Sequence, residues 1–162
     1  MEKLKSLAFE ANKSLRLADH LLHVTYPLAK DNKLLISILN SLDKSVKFAI
    51  DAFIRYDQIY KRVRSDPDTY REKLRLFSKI SSIRYGFLQS DFDFLEEIDD
   101  IIKKHNESPI EFSRKDKFII CYNDYKTKEL TLDYVKSGFV KAKSFIVKLN
   151  YILEKDRLVN NK

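Results

Sequence analysis

The residues with the most chemical potential lie together near the N-terminal end: Arg16, Asp19, His20 and His23. His20 and His23 are three apart, so on a helix they share a face. Two imidazoles with the Asp19 carboxylate would suit a divalent transition ion. A complete site needs a further ligand from another element, and the chain has no second Glu-x-x-His element to build a di-iron site. The histidines are therefore read as hydrogen-bonding groups at the rim of a helical core, and no metal or other cofactor is expected. His105, in the last turn of an acidic helix, suits a C-terminal dipole partner. Cys121 is the sole cysteine, so an internal disulfide and a thiolate cage are excluded. Within Ile119-Ile120-Cys121 it reads as a packed small hydrophobe rather than a nucleophile. Two glycines in 162 residues leave no glycine-rich phosphate cradle, and no nucleophile elbow, dinucleotide fingerprint or zincin motif is present.

Charge offers a second kind of site. The chain carries 31 Lys and Arg against 24 Asp and Glu, a formal net charge of +7. The excess is local. Residues 61–84 hold eight basic and three acidic side chains, residues 91–111 hold two and eight, and residues 131–162 hold seven and three. One reading is a set of solvated faces in which the acidic segment neutralises a basic neighbour. The other is a basic surface. Lys61, Arg62, Arg64, Arg71 and Arg75 are its best members, with Arg114, Lys115 and Lys117 as a second group and Tyr122 and Tyr125 as stacking faces near it. Basic residues interleaved with exposed aromatics are what single-stranded RNA binding uses.

The elements that must position these residues are helical. Leu35, Leu39, Leu42, Val46, Ala49, Phe53, Tyr56 and Tyr60 step by four and three without a break, the spacing of a helix packed lengthwise on others. Ile38, Ala52 and Ile59 widen that seam, as expected of a central helix. Similar stepping and cap signals predict helices near 2–26, 33–63, 67–85, 91–106 and 132–156. Pro27 should end the first, and Asp31 or Asn32 should cap the second. Asp66-Pro67 should start the third, and Ser90 with Asp93 should cap the fourth. Lys117–Tyr122 is β-prone, Asn123-Asp124 is turn chemistry, and a hairpin is expected near 117–130. The expected fold is mainly α: an antiparallel bundle of four to five helices with a small β-hairpin before the last helix. One domain spans 1–162, with 157–162 a frayed tail. The N-terminus lacks the apolar core of a signal peptide and no uncharged run suits a membrane span, so a cytoplasmic protein with no membrane partner is expected.

Ala18–Leu35 (ADHLLHVTYPLAKDNKLL) and Ser108–Cys121 (SPIEFSRKDKFIIC) resemble a small, uncharacterised archaeal family of helical proteins. More remotely, a bundle of four to five helices of this size resembles the HEPN class, many of whose members are RNA-cleaving toxins or their partners. That class uses an Arg followed after four to six residues by His, and Arg16 and His23 meet the spacing. The resemblance implies that Arg16 would steady phosphate charge and His23 would serve as acid or base. Here, however, the pair lies on the first helix and Leu17 stands where a polar residue is usual.

The expected function is a non-catalytic helical-bundle binding protein whose basic face contacts RNA or an acidic partner protein. The alternatives are a metal-independent ribonuclease or toxin–antitoxin component of the HEPN kind, and a protein that assembles with itself, as a homodimer for example.

Overall fold

A computed structural model describes the backbone of residues 1–160 and the side chains of 1–123 and 125–157. The chain is 75% helical with a small antiparallel sheet. In order come α1 (Glu2–His20), a π-helical turn (Leu21–Thr25), α2 (Tyr26–Ala29), α3 (Lys33–Ile59), α4 (Tyr70–Arg84), α5 (Gln89–Glu107), β1 (Ile110–Arg114), β2 (Lys117–Tyr122), β3 (Lys126–Thr131) and α6 (Leu132–Asn160). A 3₁₀ turn, Asn123–Tyr125, joins β2 to β3.

α3 packs against α1, α4, α5 and α6. Its four-three seam is buried from Leu35 to Tyr56, and Ile36, Ile50 and Ile54 are buried beside it. A helix buried on several sides needs apolar residues beyond one stripe, and the widened seam supplies them. α1 sets Leu4, Ala8, Ala11 and Ala18 against it, and the π-helical turn adds Leu22. The alanines bring the backbones close enough for the fully buried Ser45 hydroxyl to donate to the Ala11 carbonyl at 2.8 Å. At the far end of the core, Phe53, Phe77, Phe92 and Phe145 gather from four helices and Phe87 from the α4–α5 link, with ring centroids 4.6–6.3 Å apart in the contacting pairs.

Several expected boundaries move, each for a local reason. Pro27 does not end the first helix. Its ring crowds the carbonyl four residues back and it has no N–H to give; the backbone answers with the π-helical turn, and Pro27 then sits in the first turn of α2, where no donor is needed. The stop comes at Lys30, left-handed at φ +50°, whose N–H donates to the Tyr26 carbonyl. α3 ends at Ile59 rather than 63, because Lys61 turns left-handed (φ +56°) and the Arg62 N–H closes back on the Asp57 carbonyl. α4 starts at Tyr70 rather than 67: Thr69 and Glu72 form the capping box, which outcompetes Asp66-Pro67. α5 starts at Gln89, with the Asp91 carboxylate accepting from the Leu88 N–H at 2.7 Å; the Ser90–Asp93 box does not form. At the start of α3 it is Asp31 that accepts a backbone N–H, from Lys33 at 3.0 Å. The Asn32 side chain instead accepts from the Tyr26 hydroxyl and donates to the Lys115 carbonyl at 2.8 Å.

The expected hairpin is a three-stranded antiparallel sheet of order β1-β2-β3. β2 and β3 pair from Lys117–Thr131 to Tyr122–Lys126, and β1 adds from Ile110–Cys121 to Arg114–Lys117. β1 is short and starts with Ile110 just after Pro109, so its sequence reads only as an extended lead-in; pairing with the strongly apolar β2 makes it a strand. Register places Phe118, Ile120 and Leu130 on one face, all buried. The expected frayed tail at 157–162 is helical as far as Asn160; its last two positions lie outside the described residues. No described helix is long and apolar enough to cross a membrane.

Candidate functional site

The N-terminal group comes out as a set of local contacts. His23 Nδ1 lies 2.6 Å from Asp19 Oδ1, on an exposed surface, and its ring meets Phe139 of α6 edge-on at 5.3 Å. His20 Nδ1 lies 3.4 Å from the Thr25 hydroxyl. Arg16 lines a groove of about 560 Å³ between the outer ends of α1 and α6, together with Phe9, Asn12, Asn150, Leu153 and Glu154. Asn12 and Asn150 exchange amide hydrogen bonds of 3.0 and 2.9 Å there. His23 is not among that groove's lining residues. His105 turns to the sheet, with Nδ1 2.5 Å from Glu111 Oε1 of β1. Among the described residues no three of His, Cys, Asp and Glu gather as a metal site would require.

The first basic group divides. Arg62 is drawn inward: its guanidinium sits over the Tyr60 ring at 5.0 Å and reaches Asp57 at 3.4 Å. Asp57 is 2% exposed, and the same Oδ1 accepts from Arg84 at 2.9 Å and from the Tyr85 hydroxyl at 2.7 Å. Burial, and then the bond to Asp57, push the Tyr85 phenol up from its ordinary value. Tyr60 adds a hydroxyl bond to Asp156 of α6. Arg62 thus belongs to a structural node closing the end of α3.

Lys61, Arg64, Arg71 and Arg75 remain exposed, and none of them is in an ion pair among the described residues. Gln58 fixes the segment between α3 and α4 by donating to the Ser65 carbonyl at 3.0 Å. The capping box of Thr69 and Glu72 then sets the start of α4. Arg71 and Arg75 are one turn apart and line a groove of about 570 Å³ between α4 and α5. The opposite wall brings Glu96, Asp99, Asp100 and Lys103, so the groove is of mixed charge.

Under that groove lies a charged cluster that no sequence signal singles out. The Lys47 ammonium bridges Asp43 at 2.8 Å and Asp99 at 2.7 Å, and sits 4.7 Å from the Tyr70 ring centroid. Burial raises the Asp43 carboxyl despite Lys47. Burial works the same way on Asp99, but hydrogen bonds from Lys103 and Lys47 outweigh it and hold that carboxyl below its ordinary value. The spacing of Asp43 and Lys47, one turn apart, was visible; what was not is that α5 lays Asp99 over them.

The second basic group is also divided by the fold. Arg114, Lys115 and Lys117 sit at the β1–β2 turn, where Lys115 is left-handed (φ +55°) and Lys117 pairs with Glu129 at 2.7 Å. Tyr122 and Tyr125 lie at the other end of β2, about 16 Å away at ~3.3 Å per residue. Tyr125 is fully exposed at the tip, whereas Tyr122 lies against the Lys104 ammonium, 4.6 Å from the ring centroid. Neither tyrosine therefore lies beside Arg114, Lys115 and Lys117. Cys121 is half-buried on the face with Phe112 and Ile119.

The chain matches no family model, no curated protein and no solved structure.

Proposed function

We propose that this chain is a non-catalytic helical-bundle protein of the cytoplasm that binds single-stranded RNA through the segment from Lys61 to Arg75. One observation carries the reading: Lys61, Arg64, Arg71 and Arg75 stay exposed and without a carboxylate partner among the described residues, on a backbone fixed by Gln58 and by the α4 capping box. Holding such side chains on a rigid frame lowers the cost of ordering them against phosphates. Arg62 does not count toward the surface, because Asp57 and Tyr60 hold it. The reading is of phosphate contact, which positions RNA without specifying its sequence.

The test is the salt dependence of binding to oligouridine. Each phosphate contact contributes about 0.7 to the slope of log K against log salt on single strands. The Arg64→Gln/Arg71→Gln/Arg75→Gln variant should weaken binding and flatten the slope by about two. Absence of binding by the wild-type chain at low salt, or an unchanged slope in the variant, refutes the proposal.

A further inference from the structure

The outer face of α6 has a pattern that RNA contact does not explain. From Tyr134 to Leu153 the helix carries four lysines and no acidic residue. Val140, Val147 and Tyr151 are exposed at 66%, 56% and 63%, on a helix whose other large apolar residues in that span are buried or half-buried. With Ser144 they step four, three, four, so they form one line along three turns, about 16 Å at ~1.5 Å per residue. At 3.6 residues per turn, Lys136 and Lys143 fall on one side of that line and Lys141 and Lys148 on the other. Lys141 and Lys148 are steadied over the rings of Phe94 and Phe87, at 5.5 and 4.2 Å from their centroids. Neither Lys136 nor Lys143 is in an ion pair among the described residues.

From this geometry we infer that the outer face of α6 is a docking surface for an acidic amphipathic helix of a partner protein. An apolar line at four-three spacing is matched by a second helix with the same spacing, whose side chains interlock with it. Lysines on both flanks then call for carboxylates on both flanks of the partner. The chain itself does not supply that partner. Two copies meeting through α6 would set lysine rows against lysine rows. The acidic stripe on α5, with Asp93, Glu96, Glu97 and Asp100 exposed, has no exposed large apolar residue to cover Val140, Val147 and Tyr151. A phosphate backbone would satisfy the lysines but desolvate nothing apolar. A bilayer favours longer side chains such as Trp, Phe and Leu over the two short valines found here.

The test uses the full chain and a synthetic helix of about three heptads, with leucine along its four-three seam and glutamate on both flanks. Fluorescence anisotropy at low salt should show that this peptide binds and that the same peptide with lysine flanks does not. Val147→Asp should weaken binding at least about tenfold, because it sets a carboxylate in the desolvated seam. Val147→Ser should give a smaller loss, and Lys136→Glu/Lys143→Glu a loss that salt also produces in the wild type. Val147 is exposed, so these variants should unfold at the wild-type temperature. The Arg64→Gln/Arg71→Gln/Arg75→Gln variant should bind the peptide normally, which separates this surface from the RNA-binding one. The inference is overturned if the glutamate peptide fails to bind, or if Val147→Asp leaves its binding intact. It is also overturned if Val147→Asp abolishes binding to phosphatidylserine vesicles or to oligouridine while the peptide stays unbound.

Discussion

Replacing Asp57 by Ala removes the acceptor on which the end of α3 is built. The carboxylate side chain is 3% exposed, and Arg84, Tyr85 and Arg62 converge on one of its oxygens at 2.9, 2.7 and 3.4 Å. A hydrogen bond to a charged group is worth about 1.5–3 kcal/mol. Breaking a fully buried ion pair costs about 3–5 kcal/mol, chiefly because the abandoned charge stays dry. Here the abandoned charges are not dry. The Arg62 and Arg84 side chains are 36% and 38% exposed and can turn to water. The 3.4 Å contact to Arg62 is also too long to weigh much. What remains is the Arg84 bond, discounted for exposure, and the Tyr85 hydroxyl left without its acceptor. The expected loss is therefore about 2–3 kcal/mol, below the range for buried pairs. Guanidinium denaturation followed by far-UV circular dichroism reads it as a lower midpoint at unchanged slope. Arg62→Gln should cost less than Arg84→Gln in the same assay. An Asp57→Ala midpoint within error of the wild type would mean that the node does not form as described. A larger loss for Arg62 than for Arg84 would mean that its geometry is wrong.

Phe53→Ala should cost about 3–5 kcal/mol in the same assay, because Phe53 is fully buried and its ring meets Phe77, Tyr85 and Phe87 at 5.1–5.6 Å; a midpoint that hardly moves would show the α3 seam to face elsewhere. Gly138→Ala should be neutral or stabilising by up to about 1 kcal/mol, since it restores helix propensity. An added Cβ there meets Phe94 at 3.4 Å, an ordinary contact. Gly86→Ala should instead destabilise, because Gly86 is held at φ +67°. Asp99 is held below its ordinary value of 3.8, so its stabilising contribution is fully present above that pH and fades as pH falls through the lower folded value. Asp99→Asn should then flatten the acid limb of stability against pH below about 4, and an unaltered limb would remove Asp99 from the account.

The helices are legible from the chain alone, because a four-three repeat is a local property that each segment carries whatever surrounds it. The buried face of α3, the inward residues of α5 and the alanine face of α1 were all legible this way. The β-character of Lys117–Tyr122 was legible too, from β-branched and aromatic content. Tertiary structure decided the third strand, because IEFSR becomes β1 only when β2 offers it a register. It also decided the boundaries at Pro27, Pro67 and Ser90, where two local signals compete and the surrounding packing selects one. For the candidate site the limit is sharper. Sequence counts charges but does not say which are spoken for, since a carboxylate from a distant segment can claim one cation and leave its neighbour free. Arg62 and Arg64 are two residues apart and equivalent on paper. The turn after α3 folds Arg62 back onto Asp57 and Tyr60 and leaves Arg64 in water. On α6, likewise, the heptad-like spacing of Val140, Val147 and Tyr151 was present in the sequence, but which of the helix's apolar lines faces the core depends on where α1, α3 and α5 stand around it.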